Sequence, residues 1–294
     1  MTSADSSPVV VSGLGSSGTR VVAQILQELG IHMGDDLNRA LDNLLFTLLL
    51  KRPRELAAPS LGQRMNRAAD LVHVFGRLCR SPGSVTEPGI ARELLRASAD
   101  HIRYGIERPT PARRTVWTGR RLRTAWRSRR HAPGERWGFK EPTAHLFLPA
   151  MVQEFPRMSY VHVMRDPRDY AVVPHNQFAI WSRAFPDLSL HGHGSRAAAQ
   201  LHWWTEMNER AVMYARDRRI RFLAVRLEDL ILHPDHGIQQ LADFIGHPRN
   251  DGIPPGLKSF IRTPASLGRG YALDVSTLGG PSLVARIADM GYDC

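Results

Sequence analysis

Val9-Val10-Val11 is a β-branched run that follows Pro8 and leads into Gly13-Leu14-Gly15-Ser16-Ser17-Gly18. A run of this kind between turn residues predicts a buried strand entering a tight turn. Beyond the glycines, apolar residues recur at Val21, Val22, Ile25, Leu26 and Leu29, just before Gly30. That spacing is one face of a helix, so a helix is predicted over 19–29. Strand, glycine-rich turn and helix in this order open a parallel α/β fold.

The alternation continues along the chain. Trp137-Gly138-Phe139 is a short strand candidate. Tyr160–Met164 is β-rich and stops at Arg165-Asp166-Pro167-Arg168-Asp169, and Phe222–Leu227 is the clearest later strand. Helical patterns lie over Ile90–Ile106, Arg196–Arg216 and Ile238–Ile245. With 294 residues, 43% of them hydrophobic, the chain has ample material for one large α/β core. Such alternation implies a mostly parallel sheet with helices on both faces and ligands at the carboxyl ends of its strands.

The glycine-rich turn itself carries chemistry. Between a buried strand and a helix it exposes several backbone N–H groups, backed by the positive end of the helix dipole. Glycine lets the backbone close around a phosphate, and the Ser and Thr hydroxyls add donors. An anion site is the natural reading; a glycine turn without a ligand is the plain alternative. A nucleotide-hydrolysing loop has Gly-x-x-x-x-Gly-Lys-Ser/Thr, with the Lys on the β/γ-phosphates and the hydroxyl on Mg²⁺. Here Gly13 and Gly18 keep the glycine spacing, but Thr19 stands in the Lys position and Arg20 in the Ser/Thr position. Binding of a 5′-phosphate is retained while ATP hydrolysis is disfavoured. A dinucleotide fingerprint is also disfavoured, because Gly13, Gly15 and Gly18 lack an acidic end to a second strand.

Charge points the same way. The formal net charge is +11, from 39 Lys and Arg against 28 Asp and Glu, which favours an anionic ligand: a nucleotide, a nucleic acid or a membrane surface. Arg113, Arg114, Arg120, Arg121, Arg123, Arg127, Arg129 and Arg130 crowd the stretch 109–133, with Trp117 and Trp126 between them. It reads either as a solvated face or as a basic lid or acceptor-binding surface. Two cysteines, Cys79 and Cys294, make neither a disulfide framework nor a zinc cluster. The N-terminus has no signal-peptide pattern, and Leu44–Leu50 is too short for a membrane span. A cytoplasmic protein with no transmembrane segment is expected.

At this point the sequence resembles the PAPS-dependent sulfotransferase family, bacterial type (PAPS is 3′-phosphoadenosine 5′-phosphosulfate). Ser16-Ser17-Gly18-Thr19-Arg20 is similar to the family's 5′-phosphosulfate loop, and Val161–Asp169 to its 3′-phosphate strand and turn, Arg-Asp/Asn-Pro-x-Asp. Trp137–Pro142 resembles its central Lys-containing strand. Val225–Leu230 with Phe244-Ile245-Gly246 resembles its later strand-to-helix signature, and Ser266-Leu267-Gly268-Arg269-Gly270 its C-terminal segment. These motifs span residues 9 to 270 in the family's order.

The resemblance implies a P-loop NTPase-like three-layer α/β/α fold around a mostly parallel sheet of about five strands. A single domain over 1–294 is expected, with a basic insertion or lid around 109–133. By the same resemblance Ser16, Ser17, Gly18, Thr19 and Arg20 hold the 5′-phosphate, and Lys140 stabilises the charge of the transition state. Arg165, with Arg269 as a second clamp, binds the 3′-phosphate. PAPS is the donor, PAP the product, and no metal is required. Sulfuryl transfer is then an in-line displacement helped by cationic donors. Many members carry Lys or Arg where this chain has Ser16, so that cation is either missing or comes from Arg20 or Lys140. They also often carry Ser at the position of Val173, so either His175, Asn176 or Arg269 substitutes or the 3′ site is weaker.

A hydroxyl acceptor needs a general base. The resemblance points to an acidic residue after the loop: Asp42 first, then Asp36. Glu141 and His145, beside Lys140, are the competing pair. His191 and His193 are read as solvated loop residues rather than a metal site, and Trp203-Trp204 as core or acceptor-pocket residues. The expected acceptor is a small molecule, carbohydrate or lipid. Two rival readings are a small-molecule kinase on the same loop and a basic nucleic-acid-binding protein using 109–133; the latter leaves the loop and Arg165 unexplained, so no nucleic-acid partner is expected.

Overall fold

The structure is a computed structural model and describes residues 7–57, 60–105, 110–127, 135–174, 176–184, 194–248 and 252–293. Four strands, β1 (Val9–Gly13), β2 (Gly138–Lys140), β3 (Ser159–Met164) and β4 (Arg221–Arg226), lie parallel in the order β2–β1–β3–β4. The helices that connect and cover them are α1 (Thr19–Glu28), α2 (Leu44–Leu50), α3 (Pro53–Leu56), α4 (Leu61–Arg80), α5 (Pro88–Tyr104) and α6 (Pro111–Arg127). They are followed by α7 (Leu148–Glu154), α8 (Pro167–Ala171), α9 (Asn176–Ala184), α10 (Arg196–Asp217), α11 (Leu227–Leu232), α12 (Pro234–Ile245) and α13 (Val275–Ala288).

Because successive side chains of a strand point to opposite faces, the sheet feeds two cores. Val9 and Val11 of β1, with Val161 and Val163 of β3, pack under Val22, Ile25 and Leu26 of α1 and Leu241 of α12. On the other face Val10, Phe139 and Tyr160 meet α2, α4, α7 and α10. Each fully buried Val or Leu contributes about 1.5–3 kcal/mol by leaving water. The helices are therefore held by both faces of the sheet, in the expected α/β/α layering.

The expectation of about five strands is corrected to four among the described residues. Where a further strand would extend the sheet past β2, the chain after α1 makes only a single bridge, His32 with Trp137. Gly34, at φ 107°, turns the chain immediately afterwards, so the pairing does not propagate. The short strand runs over Gly138–Lys140, one residue later than expected, although the Trp137 carbonyl still accepts the Val9 N–H at 3.0 Å.

One aromatic cluster matters for the site. Phe46 of α2 packs edge-on against Phe75 and Phe147, with ring centroids 5.4 and 5.6 Å apart. Asn43 caps α2, its side chain accepting the Phe46 N–H at 2.9 Å, and its own N–H donates to the Lys140 carbonyl at 2.9 Å. The chain just before α2 is thus fixed against the carboxyl end of β2.

Candidate functional site

The glycine-rich turn is shaped by close backbone contacts. A Cβ on Gly13 would lie 2.1 Å from the Val163 carbonyl oxygen, so β1 can approach β3 only as glycine. Gly18 takes φ 91° before α1, and a Cβ there would meet Leu227 at 2.6 Å. The Ser17 N–H donates to the Leu14 carbonyl, while the Gly15 N–H donates to Gln177 Oε1 at 2.9 Å. Among the described residues the N–H groups of Gly18, Thr19 and Arg20 find no acceptor, and Ser17 Oγ is buried without a partner. Unpartnered N–H groups at the positive end of a helix, beside an orphan hydroxyl, fit an anion. Thr19 is buried there; Ser16 and Arg20 are exposed at its rim.

Next to the turn, across the β1–β2 pairing, stands Lys140. It is buried, its Nζ donating to the Ala40 carbonyl at 3.1 Å and forming an ion pair with Asp42 Oδ1. Asn38 shapes the turn that presents Asp42. Its Oδ1 accepts the N–H groups of Ala40 (2.8 Å) and Asp42 (2.9 Å), and its Nδ2 donates to Asp42 Oδ2 at 2.8 Å. Two of the expected site residues, Lys140 and Asp42, are therefore in direct contact.

The other candidate bases lie elsewhere. Asp36 pairs with Arg121 of α6; burial raises its carboxyl above the usual range, against the pull of Arg121. Glu141 is wholly buried, receives Lys51 Nζ at 2.9 Å and Thr143 Oγ1 at 3.1 Å, and its carboxyl is raised by burial. His145 Nδ1 lies 2.8 Å from the Pro142 carbonyl, which can only accept, so Nδ1 carries the proton. Burial, with His162 nearby, pushes the His145 pKa down to about 3.

On the other side of the glycine turn, Arg165 follows β3. Its guanidinium donates to the Ser16 carbonyl (3.5 Å), Asp169 Oδ2 (2.8 Å), Ser266 Oγ (3.1 Å) and the Ser266 carbonyl (2.6 Å). Asp169 also accepts the Gly268 and Gly270 N–H groups at 2.8 and 2.9 Å. Burial works against ionisation of Asp169, but these N–H groups and Arg165 together hold its carboxyl below the usual range. A Cβ on Gly270 would lie 2.1 Å from the Arg168 carbonyl carbon, so 266–270 seats tightly on the turn after β3. Arg269 itself is exposed. Trp204 Nε1 donates to the Arg165 carbonyl, and both Trp203 and Trp204 are buried in the core. Glu228 accepts the Asp166 N–H at 2.9 Å, which ties the later strand-to-helix motif to this turn.

Sequence reasoning missed Asn38, Lys51 and Gln177. Asn four residues before Asp42 is a turn signal that could have exposed the first; nothing in the pattern marks the other two. His175, His191, His193, Arg129, Arg130 and Cys294 lie outside the described residues, as does the side chain of Asn176. Among the described residues no three His, Cys, Asp or Glu side chains are grouped to hold a metal ion, and no helix is long and apolar enough to cross a membrane.

The family model described as "Sulfotransferase family" matches residues 8–251. No curated protein matches the chain. Among solved structures the chain is similar to the sulfotransferase domain of the Synechococcus PCC 7002 olefin synthase, at 14% identity and TM-score 0.47, covering 98% of this chain and 95% of that one. Sulfotransferase STF9 from Mycobacterium avium matches at 14% identity and TM-score 0.45, over 98% of this chain and 77% of that one. Sulfotransferase STF1 from Mycobacterium tuberculosis H37Rv matches at 16% identity and TM-score 0.42, over 98% and 78%.

Proposed function

The chain belongs to the sulfotransferase family, and from that premise we propose that it transfers a sulfuryl group from PAPS to a hydroxyl of a small-molecule, carbohydrate or lipid acceptor. The observation that carries this reading is a convergence. The open N–H groups of the glycine turn, the Lys140–Asp42 pair and the Arg165 turn lie at the carboxyl ends of three adjacent parallel strands. When bound, PAPS supplies an activated sulfuryl group on its 5′-phosphate and a 3′-phosphate as a second handle.

In this reading the Gly18, Thr19 and Arg20 N–H groups and the Ser17 and Thr19 hydroxyls hold the 5′-phosphate. Arg165 holds the 3′-phosphate, with Arg269 at the rim. Lys140, an ammonium kept out of bulk water, stabilises the negative charge that develops on the leaving oxygen. Asp42 takes the proton of the acceptor hydroxyl. Of the four candidate bases it alone touches Lys140, and it keeps some exposure while Glu141 and His145 are enclosed. Asp36 is committed to Arg121. The direction of Asp42 is set by Asn38, which leaves Oδ1 to Lys140.

Calorimetric titration of adenosine 3′,5′-bisphosphate, AMP and ATP on the wild type and on Arg165→Ala tests the reading. Binding of the bisphosphate well above AMP, lost in the variant, supports it. Equal binding of bisphosphate and AMP, with Mg-ATP binding best, replaces it with a kinase.

A further inference from the structure

The two sides of α6 are used differently. On the inner side Trp117 and Ala125 are buried, Arg121 pairs with Asp36, and Arg114 donates to the Arg103 carbonyl at 3.0 Å. The fold thus has structural work for these two arginines. On the outer side Arg113, Arg120 and Arg127 recur every seven residues and form one stripe, with Arg123 beside it. All four are exposed, and among the described residues no carboxylate lies within ion-pair range of any of them. Pro111–Arg127 contains no Asp or Glu at all.

Arg120 and Arg123, and Arg123 and Arg127, are neighbours on the helix surface at three and four residues, a spacing at which like charges repel. An arrangement that weakens the helix on its own is stabilised by an anionic partner. The same outer side exposes two apolar side chains, Val116 at 56% and Trp126 at 64%. The stripe from Arg113 to Arg127 is about 21 Å long at 1.5 Å per residue.

We propose that the outer face of α6 docks on a bilayer surface containing anionic phospholipids. Lipid phosphates present a plane of negative charge to the four guanidinium groups. Trp126 and Val116 enter the boundary between headgroups and acyl chains, where an indole ring is favoured. A nucleic acid would satisfy the arginines but leave Val116 with nothing to gain. The helix also holds Asp36 through Arg121, so the face that meets the lipid belongs to the element that braces the turn before Asp42. Docking is separate from the transfer chemistry and is read without any activity assay.

The test is co-sedimentation of the full chain with vesicles of phosphatidylcholine alone or mixed with phosphatidylglycerol, over a range of salt. Binding is expected only to the mixed vesicles, weakening as salt rises. Arg120→Gln with Arg123→Gln should partition about twenty-five-fold more weakly, at roughly fivefold for each arginine lost. Trp126→Ser should weaken partitioning while leaving its salt dependence in place. All these residues are exposed, and circular dichroism checks that the variants fold. Absence of binding to mixed vesicles overturns the proposal, as does undiminished binding of the double variant. Equal partitioning of Trp126→Ser and wild type, or tighter binding to duplex DNA than to the vesicles, overturns it too.

Discussion

Lys140 and Asp42, 98 residues apart in the chain, meet as an ion pair at the carboxyl end of β2. Lys140 arrives on the strand, and Asp42 on a turn wound around Asn38. Neither group has another charged side chain within ion-pair range among the described residues. They are therefore expected to act as a unit. Lys140→Met should lower turnover about 10²–10³-fold, as loss of a donor to developing charge does, and Asp42→Asn about 10²–10⁴-fold. The double variant should be little worse than the more damaging single one. With PAPS as the proposed donor, release of the desulfonated nucleotide, quantified by chromatography, checks this; strictly multiplicative losses would separate the two proposed roles.

The glycines of the turn differ in what a methyl group would strike. At Gly13 it is the backbone of β3, which cannot yield; at Gly18 it is the end of the Leu227 side chain, which can. Gly18→Ala should cost about 1–2 kcal/mol from the left-handed backbone and, under the proposed function, weaken binding of adenosine 3′,5′-bisphosphate while the protein still folds. Gly13→Ala should fail to give folded protein, since overpacking against a strand is added to a positive φ. Thermal melts of the two variants rank them, and a stable Gly13→Ala would contradict this account of the β1–β3 approach.

Three buried histidines make the fold sensitive to acid. Burial lowers the pKa of His101 to about 4, of His145 to about 3 and of His162 to about 4. An unfolded histidine titrates near 6.5. Between these values the unfolded chain binds protons that the native chain refuses, so stability is lost as pH falls from about 6.5 towards 4. Each histidine contributes up to about 1.4 kcal/mol per pH unit in that window. Denaturant midpoints at pH 7.5, 6 and 5 should fall in sequence, and His162→Gln should flatten the slope. A midpoint constant across this range would exclude the buried neutral imidazoles.

Asp169 fastens the segment 266–270 through two N–H groups and Arg165. Its folded pKa is depressed, so its contribution is complete above the ordinary carboxylate range and is lost only as pH falls through the lower folded value. At neutral pH Asp169→Asn should destabilise by about 1–3 kcal/mol and open the chain near Arg262 and Arg269 to trypsin. Cleavage there at the wild-type rate would mean that the segment is held by other contacts.

Local pattern made much of this legible. Val9–Val11 and Tyr160–Met164 are β-branched or aromatic runs stopped by turn residues, and each forms a strand close to its expected bounds. The helix predicted over 19–29 is α1 to within a residue. The lost fifth strand was not legible, because one bridge at His32 and a turn at Gly34 are decided by tertiary contact. Lys140 and Asp42 were each visible as residue types, but their contact depends on Asn38 and on α2 being held by Phe75 and Phe147. The grip of Arg165 on Ser266 spans 101 residues, a separation at which periodicity carries no information.

The pairing of β1 with its two neighbours acts as a gauge for the site. Val11 lies opposite Lys140 and Gly13 opposite Val163, so main-chain hydrogen bonds set how far the lysine and the arginine after β3 stand from the loop. Parallel strands sit about 4.8 Å apart whatever their side chains are. Apart from Gly13 and Gly138, where a Cβ would strike a neighbouring backbone, the spacing of the site therefore tolerates substitution in the strands so long as the cores stay filled. It does not tolerate a single inserted or deleted residue, which would slip the register and turn Lys140 to the opposite face of the sheet. In this fold the length of three short strands is more strictly constrained than their composition.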